Sequence, residues 1–165
     1  MDRSRRSIIH KELSEETVNK FLETLEYFKL LRPDLNMATT GDVCSINAYH
    51  TGNIFKFKTC LELKKEIEPV IPYEEKLDLF HIHLLHFFNK GFEKPHDHQK
   101  TEDYSFIAYL QDSEDGNTCF QMDDEVIKIK PEKGKIVFFP SSIWHWGESS
   151  SGNKKLAVGA LKIVA

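Results

Sequence analysis

The sequence predicts a mainly β protein of the α+β class, a jelly-roll barrel preceded by two N-terminal helices. Before residue 72, apolar residues recur at the three- and four-residue spacing of helical faces. Beyond it, short segments rich in Val, Ile, Phe and Tyr alternate with turn residues. Helices followed by about seven antiparallel strands are typical of a jelly-roll chain. Because 165 residues suit one domain with a full core, we expect a single domain over 1–165, with helical support in 1–76 and the barrel in 77–165.

The first helix is predicted over 14–31, where apolar side chains recur along one helical face. Ser14 is a suitable first residue because its hydroxyl can accept hydrogen bonds from the free amides of the first turn. A proline soon after residue 31 ends this helix. A second helix is predicted over 57–70 by the same apolar spacing, and it stops near Pro69 or Pro72.

The barrel strands are predicted where dense apolar segments lie between turn signals. They are 77–89, 104–110, 118–122, 125–129, 135–139, 144–148 and 156–164. The segments between them carry Gly, Asn or Pro in combinations that favour turns, beginning with Asn89-Lys90-Gly91. The edge strands and the first helix could support a homodimer.

Composition and charge argue against several classes of function. The formal net charge is −4, and the basic cluster of Arg3, Arg5 and Arg6 is too short to indicate nucleic-acid binding. No apolar run approaches the roughly 18 to 20 residues that span a bilayer, and the N-terminus lacks the apolar core of a signal peptide. We therefore expect a cytoplasmic protein with no nucleic-acid or membrane partner. The three cysteines have no C-x-x-C spacing, which predicts small buried side chains and no disulfide framework.

The candidate metal ligands lie in two segments. His96 and His98 are alternate residues of an extended segment, so both side chains can point into the barrel while Asp97 points away. His145 lies on a later strand, at the end of a Gly-x5-Pro-x4-His run. Imidazole is a common ligand of iron, zinc, copper and nickel, so the residue types do not choose the metal. The three histidines predict a single metal site inside the barrel.

Other charged side chains could complete this site. Glu102 could add a carboxylate ligand, although the segment 99–103 has the composition of an exposed acidic turn. Lys154 and Lys155 follow His145 by nine and ten residues, at the start of the last strand. A lysine that points into the barrel could bind the carboxylate of a co-substrate.

Further polar residues lie outside these motifs. His86 and Tyr109 could supply hydrogen bonds inside the barrel, where they would support the metal ligands or bind substrate. His81 and His83 show the same alternate spacing as the candidate ligands but belong to a continuous apolar strand. The histidines expected at the surface are His10 and His50.

Two motifs give the sequence a family resemblance. They comprise Phe88, Gly91 and His96-Asp97-His98 in the first, and Gly134, Phe139-Pro140-Ser141, His145 and Lys154 or Lys155 in the second. Through them the stretch 77–163 resembles the iron(II)/2-oxoglutarate dioxygenases, in the cupin superfamily of double-stranded β-helix proteins. The resemblance implies Fe(II) on the three histidines and 2-oxoglutarate chelating that metal, with its far carboxylate on Lys155 or Lys154. It further implies hydroxylation of a small-molecule or peptide substrate behind an apolar wall of Phe88, Phe106, Phe139, Trp144 and Trp146.

Two departures from the family pattern keep other hypotheses open. His98 stands where the family has a carboxylate ligand, and the usual co-substrate arginine is here at best a lysine. Three histidines resemble instead the cupin metalloenzymes, such as thiol dioxygenases or isomerases, which would not use 2-oxoglutarate and in which Glu102 would be a ligand. A non-catalytic, cupin-like ligand-binding module is the third hypothesis.

Overall fold

The computed structural model describes residues 7–33 and 44–164. Within these ranges the helices are α1 (Glu15–Leu31) and α2 (Lys64–Ile67), with 3-10 turns at Ile54–Lys56, Lys58–Leu63 and Glu68–Val70. The strands are β1 (Ile9–Glu12), β2 (Ser45–His50), β3 (Leu77–His96), β4 (Tyr104–Tyr109), β5 (Thr118–Met122), β6 (Glu125–Ile129), β7 (Lys135–Pro140), β8 (His145–Gly147) and β9 (Lys155–Ile163).

These strands form one curled antiparallel sheet, and the mainly β, jelly-roll prediction is confirmed. The strand order is β1-β7-β4-β9-β3-β8-β5-β6, and β2 pairs with β3. Apart from β5 and β6, neighbours in this order are not consecutive along the chain, as expected for a jelly roll in which strands alternate between two facing layers. No helix in the described part of the chain is long and apolar enough to cross a membrane.

Helix α1 forms as predicted and covers the outer face of the sheet. The side chain of Ser14 accepts a hydrogen bond from Thr17 N at 3.1 Å, the N-cap contact that stabilises a helix by about 1 kcal/mol. The buried side chains of Val18, Phe21 and Leu25 belong to an outer hydrophobic core. Sheet residues such as Phe106 and Phe138 complete this core.

A second hydrophobic core fills the barrel interior. It contains alternate residues of the same strands, among them Leu85 and Phe87 of β3, Tyr109 of β4 and Leu156 of β9. Since successive residues of a strand face opposite sides, the two cores divide the apolar residues of β3, β4, β7 and β9 between helix and barrel. This division decides which polar residues reach the interior.

The segment before residue 77 differs from its predicted form. The region 57–70 contains short 3-10 turns and a single α-helical turn instead of one continuous helix. Two strands within 1–76 were also missed: β1 pairs with β7, and β2 pairs with β3. The predicted helical support therefore also contributes two strands to the sheet.

The predicted turn at Asn89-Lys90-Gly91 is wrong, because it lies inside the 20-residue strand β3. Asn89 and Lys90 have positive φ values of 46° and 59°, and they produce an irregularity instead of a chain reversal. Gly91 is required there, since a Cβ would lie 2.3 Å from the carbonyl oxygen of Asn47. Beyond this point β3 leaves β9 and pairs with β8, which carries His145.

Candidate metal centre

Three histidines come together inside the barrel. His96 and His145 are direct partners across β3 and β8, and their ring centroids lie 4.3 Å apart. The ring centroid of His98 lies 4.7 Å from that of His96 and 5.2 Å from that of His145. One ring nitrogen of each lies within 4.8 Å of the others, a spacing that suits one metal ion. Among residues 7–33 and 44–164, no other group of three or more His, Cys, Asp and Glu side chains has such spacing.

Main-chain carbonyls orient two of these rings. His96 Nδ1 lies 2.6 Å from the carbonyl oxygen of Lys94, and His145 Nδ1 lies 3.0 Å from that of Ile143. A carbonyl oxygen only accepts, so each Nδ1 must carry the proton and donate it. The lone pair of each ring is then on Nε2, the tautomer that a metal site on these residues needs.

Burial keeps two of the rings neutral. Burial, followed by the charges of neighbouring histidines, lowers the pKa of both His98 and His145 to about 3. Burial also acts to lower the pKa of His96, but its hydrogen bond with Cys44, the charge of Glu93 and a main-chain carbonyl raise that pKa to about 9. At neutral pH two lone pairs are therefore free, and a metal would displace one proton from His96.

Ser141 fixes the turn that carries His98. Its carbonyl oxygen accepts from His98 N at 2.8 Å, and its Oγ donates to the carbonyl oxygen of Glu102 at 2.6 Å. Its own N–H donates to the carbonyl oxygen of Asp103 at 3.0 Å. Because Ser141 lies in the connection between β7 and β8, these bonds tie His98 to the segment that leads to His145. Ser141 was predicted only as part of a motif, because hydrogen bonds to main-chain atoms leave no spacing signal in a sequence.

The three rings line a cavity of about 250 Å³. The ring centroid of Phe139 lies 4.9 Å from that of His145, as expected for a residue of the apolar wall. That expectation is wrong for Phe106, which lies in the outer core, and for Phe88 and Trp144, which are 45% and 47% exposed. Phe120 was missed, and its ring centroid lies 5.9 Å from that of His145.

The two candidate lysines face opposite sides of the sheet. Lys154 is 1% exposed and points into the barrel, where its Nζ lies 5.0 Å from the ring centroid of Phe87. Lys155 lies on the outer face, and its Nζ is 3.7 Å from Glu26 Oε1 of α1. Only Lys154 therefore approaches the interior.

His86 and Tyr109 are also separated by the sheet. His86 is paired with Lys155 across β3 and β9, and its Nδ1 contacts the ammonium of Lys29 in α1. His86 thus faces the helix and not the barrel interior, contrary to expectation. Tyr109 is buried inside the barrel, where its hydroxyl donates to Thr118 Oγ1 at 2.6 Å.

Glu102 lies beside the ligand triangle instead of in it. The side chain is 9% exposed, so the expected exposed position is wrong, and its Oε1 lies 3.7 Å from His98 Nδ1. Burial raises the pKa of its carboxyl to about 7, while hydrogen bonds from Ser105 and Thr101 oppose this shift.

A second group of histidines lines an adjoining groove of about 400 Å³. His81 Nε2 lies 2.9 Å from His83 Nδ1, and the ring of His83 stacks on that of His50 at 4.2 Å. The surface position expected for His50 is therefore wrong, whereas His10 is exposed as expected. Burial lowers the pKa of His50, His81 and His83, so these three rings are neutral hydrogen-bonding groups at neutral pH.

The donor set and the cavity fit a ferrous ion. Imidazole suits iron among other metals, and three nitrogens on one side leave the opposite side open to the cavity. The sequence profile of the 2OG-Fe(II) oxygenase superfamily matches residues 73–160, more than half of the chain. The chain belongs to this family of non-haem iron enzymes, which use 2-oxoglutarate. No curated protein sequence matches it significantly.

Several solved structures share the fold. A Pseudomonas putida prolyl-4-hydroxylase has 13% identity and a TM-score of 0.69, with 99% of this chain and 96% of that chain covered. A Trichoplax adhaerens prolyl hydroxylase, in complex with a hypoxia inducible factor peptide fragment, has 11% identity, a TM-score of 0.67 and coverage of 96% and 84%. HygX from Streptomyces hygroscopicus, with nickel, 2-oxoglutarate and hygromycin B bound, has 10% identity, a TM-score of 0.73 and coverage of 98% and 84%.

Proposed function

We propose that this oxygenase is a hydroxylase that holds Fe(II) on His96, His98 and His145. The observation that carries the proposal is the convergence of three ring nitrogens on one open cavity. The family match favours this function over the cupin enzyme without 2-oxoglutarate and over the ligand-binding module.

The residues of the chain would bind the metal, orient the co-substrate and keep water out of the site. When bound, Fe(II) would let O2 oxidise both 2-oxoglutarate and the substrate: one oxygen atom of O2 would enter succinate as CO2 leaves, and the other would be inserted into a C–H bond of the substrate. The three imidazoles would occupy one side of the ion and leave the cavity side for the co-substrate. Ile107 and Val158 line the same cavity with apolar surface, which limits the water that reaches the centre.

Lys154 is the residue that we assign to the far carboxylate of 2-oxoglutarate. A buried ammonium is costly without a counterion, and within the described ranges Lys154 forms no ion pair. Val158 lines the metal cavity four residues further along the chain, and four strand residues span about 13 Å. A lysine side chain and a five-carbon dicarboxylate could bridge that distance together.

The histidine-lined groove is the region that we assign to the substrate. It shares His83 and His98 with the metal cavity and extends along β9 as far as Ala160, away from Lys154. The substrate would be a small molecule or a peptide, the two kinds of ligand present in the similar structures of HygX and the Trichoplax hydroxylase. Both kinds could use the hydrogen-bonding capacity of neutral imidazoles.

Anaerobic addition of 2-oxoglutarate to the Fe(II)-loaded protein tests the proposed function. We expect a weak visible charge-transfer band that does not appear when succinate replaces 2-oxoglutarate. Metal-loaded protein without such a band would favour the three-histidine enzyme that does not use 2-oxoglutarate. A protein that takes up no Fe(II) at all would instead favour the binding module.

A further inference from the structure

We infer that Glu102 is a positioning residue, which orients His98 and supplies the negative charge that the three-histidine triangle lacks. The inference rests on the proposed metal site. Three neutral imidazoles bring no charge to balance a divalent cation, and an unbalanced charge in a buried site is costly. A nearby carboxylate would reduce that cost without occupying a coordination position.

The contact between His98 and Glu102 differs from the other two ring contacts. His96 and His145 meet main-chain carbonyls through Nδ1, whereas His98 Nδ1 faces the Glu102 carboxylate at 3.7 Å. In the described part of the chain, no other carboxylate oxygen is recorded within 4.0 Å of a ring nitrogen of these three histidines. A small further approach of the two side chains from 3.7 Å would let Glu102 accept the Nδ1 proton of His98 and leave Nε2 for the metal.

Two hydroxyl groups hold the carboxyl of Glu102 in place. Ser105 Oγ donates to Oε2 at 2.6 Å, and Thr101 Oγ1 donates to Oε1 at 3.2 Å. Each carboxyl oxygen therefore accepts a hydrogen bond from a neighbouring hydroxyl group, which fixes the orientation of the side chain. Ser105 is 1% exposed on β4, which makes it a fixed support for the carboxylate.

The backbone holds Glu102 in the same place. Its N–H donates to the carbonyl oxygen of His98 at 3.1 Å, which closes the turn between the two residues. Its own carbonyl oxygen accepts from Ser141 Oγ at 2.6 Å. The carboxylate therefore lies on a turn that is hydrogen-bonded at both ends. Little conformational freedom is lost when it accepts a hydrogen bond from His98 Nδ1.

Two other carboxylates near the triangle serve different contacts. Asp97 lies between the ligands in sequence, but its Oδ2 accepts from Gln99 Nε2 at 3.3 Å. Glu93 lines the cavity, and its Oε1 accepts from Ser45 Oγ at 3.0 Å. Asp97 thus offers a matched control, since the same charge can be removed close to His98 without touching its ring.

Titration of the metal-free protein with Co(II), followed by visible absorption, tests the inference. We expect Glu102→Ala to raise the Kd for Co(II) by about 10- to 100-fold, the usual effect of losing such a partner. Glu102→Gln keeps an acceptor but loses the charge, so we expect an intermediate rise and a changed Co(II) spectrum. Asp97→Asn should change the Kd by about 3-fold or less, the effect of a nearby charge that solvent screens and that does not contact the ring.

If Glu102→Ala fails to fold, a second variant still tests the inference. Ser105→Ala leaves the carboxylate but removes its support, and we expect a smaller rise in Kd with unchanged circular dichroism. Wild-type affinity in both Glu102 variants would overturn the inference while leaving the proposed function intact, and so would an equal loss in Asp97→Asn. If the wild-type protein binds neither Co(II) nor Fe(II), the proposed function itself fails.

Discussion

Lys154 and Lys155, adjacent in sequence, lie on opposite faces of the sheet. The ammonium of Lys154 is buried against the ring of Phe87 inside the barrel, and that of Lys155 meets Glu26 of α1 outside it. The pairing of Lys155 with His86 sets this arrangement, because in that register the side chains of both residues point toward α1. The side chain of the preceding residue, Lys154, therefore points to the opposite side, into the barrel. The pair therefore allows one charge to be removed from either side of the same strand.

Replacing each lysine in turn by methionine tests which side of the sheet binds 2-oxoglutarate. We expect Lys154→Met to raise the Kd for 2-oxoglutarate by about 10- to 100-fold, because a charge-assisted contact contributes about 1.5 to 3 kcal/mol. Lys155→Met should leave that Kd within about 3-fold of wild type, since its contact is a partly exposed surface pair. Anaerobic titration of the Fe(II)-loaded variants measures both values. A larger effect of Lys155→Met would place the co-substrate outside the barrel and contradict the assignment.

The sequence allowed the class of the fold and the histidine triangle to be predicted, for physical reasons. Alternation along a strand put His96 and His98 on one side, and alternation holds for any strand regardless of its partners. Helix α1 followed from its apolar spacing and from the cap at Ser14, both of which are local signals. His145 was found through its motif, and the structure pairs it with His96.

The remaining features depend on long-range pairing that spacing does not show. Only the register of β3 with β9 decides that Lys154 faces inward, and a shift of one residue would have selected Lys155 instead. The pairing of β2 with β3 places His50 against His83, although 33 residues separate them in sequence. The irregularity at Asn89 and Lys90 resembles a turn in sequence because the same residue types favour both.

His145→Ala should abolish stoichiometric metal binding. The variant removes one of three nitrogens and opens a gap in the wall beside Phe139. We expect saturating Co(II) to raise the Tm of wild-type protein, because a ligand that binds only the folded state stabilises it, and to leave the Tm of the variant unchanged. His86→Ala is the matched control: it loses an imidazole from the same sheet, but one that faces α1. Loss of the Co(II) effect in both variants would show that the triangle has no special role.

Gly159→Ala should destabilise the protein through one neighbour. A Cβ at this position would lie 2.1 Å from Phe106 Cε1 in the outer core, so the ring or the strand must move. We expect a loss of about 1–3 kcal/mol in the free energy of unfolding, measured in urea, as for other overpacked cores. Gly152→Ala is the control, since no atom lies within 4 Å of its added Cβ, and it should change stability by about 0.5 kcal/mol or less. In a Phe106→Leu background, Gly159→Ala should cost less; an undiminished cost would mean that Phe106 is not the obstacle.

His81→Gln should reduce the sensitivity of the metal-free protein to mild acid. Burial, with smaller contributions from the charges of His50 and Lys56, lowers the pKa of His81 to about 4 in the folded state. As pH falls below the ordinary histidine pKa of about 6.5, the unfolded chain takes up a proton at this position and the folded chain does not, so folding stability falls. Between about pH 7.5 and about pH 5 this difference corresponds to about 2 kcal/mol, which the variant should no longer lose. Urea unfolding at the two pH values measures the change, and His10→Gln, at an exposed position, is the control. An equal acid-induced loss of stability in His81→Gln and wild type would show that His81 takes up its proton as readily in the folded protein as in the unfolded chain.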